Sequence, residues 1–173
     1  MVAISTAAFG VLGVVAEGPT HGFAVAALFT AGGELGRVWR IPRPVVYREL
    51  GRLTDAALVQ AVGVETSGPG PDRTIVEITP AGQDRLHEWL NEPVQRARDA
   101  RSALLLKLAL FDRSGQDPGS LVAAQRAVFE ARLRELQARA GGAEPGSFER
   151  TLAIWRVSST RAILDFLETL ASG

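Results

Sequence analysis

The chain has no cysteine, which excludes disulfides and thiolate metal sites and suits a reducing cytosol. It has two histidines, His21 and His87, too few by themselves for a transition-metal cluster. No lysine or arginine precedes Arg37, so the apolar opening MVAISTAAFGVLGVVA lacks the basic leader region of a secretory signal. Glu17-Gly18-Pro19 also ends that run short of the roughly 20 residues a membrane span needs. It reads as a buried helix, and no membrane partner is expected. Excess charge of either sign is missing as well: the formal net charge is zero, which argues against coating nucleic acid through bulk positive charge. Residues 1–92 are slightly acidic and the remainder slightly basic, so any binding to nucleic acid would have to rest on local placement of a few groups. No nucleophile, phosphate loop or metal spacing accompanies Glu17 and His21. No catalytic residue, metal or cofactor is assigned, and the chain is read as a non-enzyme.

What is present is an ordinary globular composition, 173 residues with 46% hydrophobic and 22% charged, enough for one domain or two small ones. The stretch from Arg40 to Leu58 reads as one helix with two faces. At roughly 100° per residue Val46, Leu50, Leu53 and Ala57 fall in one apolar arc, with Pro44, Arg48, Gly51, Arg52 and Asp55 opposite. From Arg37 to Arg52 five arginines (Arg37, Arg40, Arg43, Arg48, Arg52) meet one acid, Glu49. A duplex major groove suits such a face, because arginine neutralises phosphate and also forks onto the O6 and N7 of guanine. A solvated surface helix is the alternative.

Ahead of it, Ser5 caps a first helix ending near Ala16, with Phe9, Leu12, Val15 and Ala16 as its buried stripe. Thr20 caps a second, HGFAVAALFTAG, with Phe23, Ala27 and Leu28 at helical spacing and an end at Gly32-Gly33. In the third helix Pro44 suits the first turn, whereas Pro42 stands where a capping side chain is expected. Leu58 to Glu65 and Thr74 to Thr79 then alternate as strands around a glycine- and proline-rich tip, Thr66 to Arg73. A lone hairpin is marginal in water, so it must pack on the helices, through Val76 and Ile78. Three helices and such a hairpin give the winged helix-turn-helix order, with Arg73 on the wing. Thr79-Pro80 opens a fourth helix striped by Leu86, Trp89 and Leu90.

Beyond Glu92-Pro93 the pattern is helical: about Gln95 to Phe111 (Leu104, Leu105, Leu108, Phe111), about Ser120 to Ala140 (Val122, Phe129, Leu133, Leu136), and Ser147 to Ala171. In the last, Phe148, Leu152, Trp155, Ser159, Ala162, Phe166 and Leu170 alternate at spacings of four and three, a coiled-coil-like seam that fits either dimerisation or packing within the domain. The expected architecture is mainly α with a small β-hairpin: a winged helix-turn-helix domain over residues 1–92 and an all-helical dimerisation and effector domain over 93–173.

Four phrases carry a family resemblance: LGVVAEGPTHGFAVAALF, GELGRVWRIPRPVVYRELGRLTDAALV, GPGPDRTIVEITPAGQDRLHEWL and the more diffuse RDARSALLLKLALF. Together they resemble the PadR family of bacterial transcriptional regulators over most of residues 10–111. The resemblance implies a homodimeric, cytoplasmic repressor that reads double-stranded operator DNA with two inverted half-sites and answers to small aromatic compounds. It makes Pro42 to Ala57 the recognition helix, Tyr47 its tyrosine and Arg73 the basic residue of the wing. Departures are Ala57 and Gly51, where the family usually has glycine and a basic residue, and Val76, where a wing tyrosine is common. Gly51 lowers helicity by up to ~1 kcal/mol, or removes bulk that would face the DNA.

The DNA-binding candidates are therefore His21, Arg40, Arg43, Pro44, Tyr47, Arg48, Gly51, Arg52 and Arg73. His21 either donates to a phosphate or packs against its turn, and His87 is read as structural. Among the tryptophans Trp39, Trp89 and Trp155, Trp155 and Trp89 are the candidates for stacking an aromatic effector; core or interface packing is the plainer role. An effector bound between domains or subunits would favour a dimer whose recognition helices no longer match successive major grooves, ~34–36 Å apart. Two other readings stand beside this one: a winged helix module that binds protein, and a small-molecule binding protein without operator function.

Overall fold

The computed structural model describes residues 4–66 and 72–172. These residues are mainly helical with a small antiparallel sheet and form two compact units. One takes in the described residues up to Leu90 together with Leu105–Gln116, the other Asn91–Leu104 and the described residues from Asp117 onward. Residues 105–116 thus belong to the first unit although they follow residues 91–104 of the second.

In the first unit, helix α1 (Thr6–Val15) starts where the Ser5 hydroxyl accepts from the Ala8 amide at 3.0 Å. Every residue from Ala8 to Val15 is buried. The expected one-sided stripe is therefore replaced by burial all round, and Ala16 lies exposed beyond it. The cause is that α1 is covered by helix α3 (Arg43–Asp55) and helix α6 (Leu105–Ser114).

A two-residue strand β1 (Thr20–His21) follows and pairs with strand β3 (Arg73–Ile78), which also pairs with strand β2 (Val59–Glu65). The sheet has three strands in the order β1-β3-β2, where the sequence led us to expect two. Two residues are too few to show a period-2 pattern. Because Thr20 is spent in this strand, the cap of helix α2 (Gly22–Leu28) falls to His21, whose Nδ1 accepts from the Ala24 amide at 3.1 Å. The helix is shorter than expected and turned differently: Val25 and Ala26 are buried, whereas Phe23 is 48% exposed and Ala27 is exposed. An apolar, alanine-rich segment of this length has no polar face to fix its phase.

The hairpin of β2 and β3 runs in register from Val59 opposite Ile78 to Glu65 opposite Arg73, with an irregularity between Ala61 and Gly63. Val76 and Ile78 are buried, as the packing argument requires; each such side chain contributes roughly 1.5–3 kcal/mol on full burial. The tip residues Ser67 to Pro71 lie outside the described residues. Helix α4 (Pro80–Asn91) begins at Thr79, whose hydroxyl accepts from the Gly82 amide at 3.1 Å and donates to the Ala57 carbonyl at 2.8 Å. Its expected stripe, Leu86, Trp89 and Leu90, is buried. In α6, Arg113 meets both Glu17 carboxylate oxygens at 2.6 and 2.5 Å and also bonds Glu34. The Glu17 hydrogen bond, aided by the charges of both glutamates and opposed by burial, raises the Arg113 pKa.

The second unit holds the short helix α5 (Ala97–Asp99), a π turn over Ala100–Leu104, helix α7 (Gly119–Gly142) and helix α8 (Phe148–Ala171). The π turn shifts the helical phase, so Leu105 and Leu108 of the expected stripe are only half-buried while Ala103, Leu106 and Leu110 are buried. The buried Gln125 side chain takes both backbone groups of Val94, each at 2.8 Å. Helices α7 and α8 pack on each other. Leu121, Val122, Phe129 and Leu136 of α7 are buried, as are Thr160 and Leu167 of α8.

Candidate nucleic-acid interface

Helix α3 is built by contrast between its faces. Val46, Leu50 and Leu53 are buried, and Arg43, Pro44, Tyr47, Arg48, Gly51, Arg52 and Asp55 are exposed. Its start has no side-chain cap, since Pro42 occupies the N-cap, and Pro44 lies in the first turn. Arg40 precedes the helix and is exposed.

The far end of α3 differs from expectation. Ala57 lies beyond the helix, exposed, with φ of 55°, so it does not continue the apolar arc. The Leu58 amide reaches back to the Leu53 carbonyl at 2.9 Å and the Ala57 amide to Thr54 at 2.9 Å. This is the paired closure that ordinarily uses glycine at the left-handed position. The cap is thus present, made by an alanine that carries the strain of the left-handed region.

Glu49 joins the buried side of α3, 2% exposed. Its Oε1 accepts from Arg48 at 2.9 and 3.2 Å and from Arg52 at 3.4 Å. A buried carboxylate requires such partners. Here they are two of the arginines that the sequence nominates for DNA contact, so their guanidinium groups are tethered while the side chains remain more than half exposed. Sequence reasoning missed this role, although the signal was there: Glu49 stands three residues after Val46 and four before Leu53, inside the buried stripe. Gly51 has no atom outside its own turn and chain neighbours within 4 Å of where a Cβ would stand, so no packing inside the described residues requires a glycine.

Beside α3 the wing and α2 complete a cleft of about 500 Å³ whose lining includes Phe23, Arg43, Tyr47, Gly51 and Arg73. Gly22 allows the close approach of α2 to α3, since a Cβ there would lie 2.7 Å from the Tyr47 ring. The guanidinium of Arg43 stands 4.8 Å from the Phe23 ring centre and 3.5 Å from the Tyr47 hydroxyl, and that of Arg73 is 5.5 Å from the same Phe23 ring. His21, with Nδ1 engaged in the cap, turns Nε2 toward Glu65 at 3.9 Å; Arg73 also lies 3.9 Å from Glu65.

The two tryptophans proposed for an effector differ. Trp89 is buried, stacked on Phe9 with ring centres 4.7 Å apart, and has the Lys107 ammonium 4.6 Å from its ring centre. These neighbours occupy the ring, and it packs as a core residue. Trp155 is 69% exposed on α8, on the outward face with Phe148, Phe166 and Leu170. Of the expected seam, Leu152 and Ser159 are half-buried and Ala162 is exposed. Among the described residues there is no group of three or more metal-ligating side chains, and no helix is long and apolar enough to cross a membrane.

Three helices, a short strand before the second helix, and a two-stranded hairpin after an arginine-faced third define a winged helix-turn-helix domain. Residues 11–88 match the family model described as the transcriptional regulator PadR-like family. The negative transcriptional regulator PadR of Bacillus subtilis (strain 168) is 25% identical over 146 residues, 84% of this chain and 74% of that protein. Among solved structures, Bacillus subtilis PadR in complex with operator DNA is 22% identical, with 94% of this chain and 96% of that chain covered and a TM-score of 0.49. A PadR-like transcriptional regulator from Bacillus cereus is 16% identical with 94% of each chain covered and a TM-score of 0.42.

Proposed function

We propose that the chain is a cytoplasmic, homodimeric repressor that binds a double-stranded operator with two inverted half-sites and is released by a small aromatic effector. The observation that carries this reading is the exposed face of α3, where Arg43, Arg48 and Arg52 stand out from a helix anchored by Val46, Leu50 and Leu53. In this reading α3 enters the major groove. Arg48 and Arg52 contact bases or phosphate; Arg43 and Tyr47 contact phosphate, and Arg73 anchors the wing. Arg40 and His21 flank the same surface, and Gly51 leaves room for a backbone or base edge. Repression rests on the PadR relative, itself a negative regulator.

Two copies pair through the apolar face of α8, where Phe148, Trp155, Phe166 and Leu170 are exposed on the single chain. Trp155 is the ring we assign to an aromatic effector. An effector acts only through different affinity for the operator-competent and incompetent dimers.

The test is a mobility-shift titration of the protein on DNA upstream of its own gene across a salt series. Phosphate contacts predict that log K falls linearly with log salt, with a slope of about −0.9 per phosphate neutralised. No salt-dependent affinity for any duplex would favour the protein-binding module. Aromatic ligand binding, read by tryptophan fluorescence and indifferent to DNA, would favour the small-molecule binding protein.

A further inference from the structure

We propose that Phe23 is a positioning residue that couples the recognition helix to the wing by holding the guanidinium groups of Arg43 and Arg73 at one aromatic ring, where both engage the phosphates of one DNA backbone. The inference rests on the DNA-binding reading and assigns a role that the arginines alone do not explain.

Phe23 lies on α2, and the fold leaves nearly half of it in solvent. Exposure of one phenyl ring is not unusual in itself. What distinguishes this one is its company: Arg43, from the first turn of α3, and Arg73, from the first position of β3, both lie within cation–π range of it. Arg43 is further steadied by Tyr47, with the guanidinium 5.7 Å from that ring. Guanidinium is planar and weakly hydrated, so it stacks on an aromatic face while its edge N–H groups remain available for a phosphate. A phenyl ring adds no carboxylate, so holding Arg43 in this way leaves its charge for an external anion. Among the described residues no carboxylate pairs with Arg43, and Glu65 stands 3.9 Å from Arg73.

An arginine already ordered on a ring loses less rotamer freedom when it binds phosphate than one free in solvent. Phe23 therefore acts by pre-organisation, through the arginines, without touching DNA bases. The ring also bridges α2, α3 and β3, which line the cleft together with His21 of β1 and Asp72.

The experiment compares full-length wild type with Phe23→Leu, Phe23→Tyr and Phe23→Trp, measuring duplex affinity across a salt series and the thermal unfolding midpoint. Leucine keeps an apolar side chain and removes the ring. Phe23→Leu is expected to bind about tenfold more weakly, with a salt slope shallower by about one phosphate contact, and to unfold near the wild-type temperature. Tyrosine and tryptophan should retain wild-type affinity and slope, and Arg43→Ala should cost less in the leucine background than in wild type. Steep salt-dependent binding by wild type with an unchanged Phe23→Leu would overturn the role of Phe23 and leave the DNA reading standing. Absence of salt-dependent binding by wild type would overturn both. If Phe23→Leu fails to fold, the aromatic variants decide, because loss of affinity in both of them would also contradict the proposal.

Discussion

At the scale of residues, the arginine-faced helix owes its character to two positions that carry no positive charge. Glu49 accepts from Arg48 and Arg52 out of the buried side, which restrains the groups proposed to meet DNA before any DNA arrives. Gly51 sits between them on the exposed face, with open space where a side chain would be. Glycine inside a helix costs ~0.5–1 kcal/mol relative to alanine. Gly51→Ala is therefore expected to raise unfolding stability by roughly that amount, read by denaturant titration. If Gly51 is there to admit DNA, the same substitution weakens duplex binding. Equal or tighter binding by a more stable Gly51→Ala would remove Gly51 from the interface.

At the scale of elements, the closure of α3 gives a prediction of opposite sense. Ala57 holds φ of 55°, a conformation that costs a non-glycine residue roughly 1–2 kcal/mol. Glycine relieves this, partly offset by about 0.4–1 kcal/mol from the looser unfolded chain. Ala57→Gly should stabilise the domain by a net ~0.5–1 kcal/mol, seen as a higher denaturation midpoint with unchanged m-value. Destabilisation would mean that the left-handed cap carries less strain than its φ implies.

The same elements mark what could be read in the sequence. Ser5, Thr79-Pro80, the period of Val46, Leu50 and Leu53, and the buried pair Val76 and Ile78 were legible because each is a local chemical signal. The phase of α2 was not, because a short alanine-rich segment is apolar on every side. Strand β1 is too short for a period, and the π turn over Ala100–Leu104 shifts the register that a simple helical count assumes. Within the site, the exposed arginines could be placed from spacing alone. The Glu49 tether was legible too, from its place inside the buried stripe of α3, whereas the Phe23 ring depends on how α2, α3 and the wing pack, which periodicity does not encode.

At the scale of the whole molecule, the proposed operator binding, in a chain without bulk positive charge, would rest on a few arginines and on pairing two copies, since two half-sites held together bind far more tightly than either alone. The exposed apolar face of α8 is the surface proposed for that pairing. Trp155→Glu puts a charge at its centre on a side chain 69% exposed in the single chain, so the helix itself should remain folded. It is expected to shift the protein toward monomer by light scattering or sedimentation. An undisturbed dimer would place the interface elsewhere. The Arg113 clasp adds no pH switch: its raised pKa means that the stabilisation is fully present below the ordinary guanidinium value and is lost only as pH rises above it.

Whether the arginines of α3 read sequence is tested most directly by the affinity of wild type and Arg48→Ala for the operator and for a set of single base-pair variants of it. If Arg48 reads a guanine, Arg48→Ala loses about 1–3 kcal/mol on the operator and ceases to discriminate at one base pair of each half-site. Unchanged affinity together with unchanged discrimination at every position would contradict that assignment of Arg48.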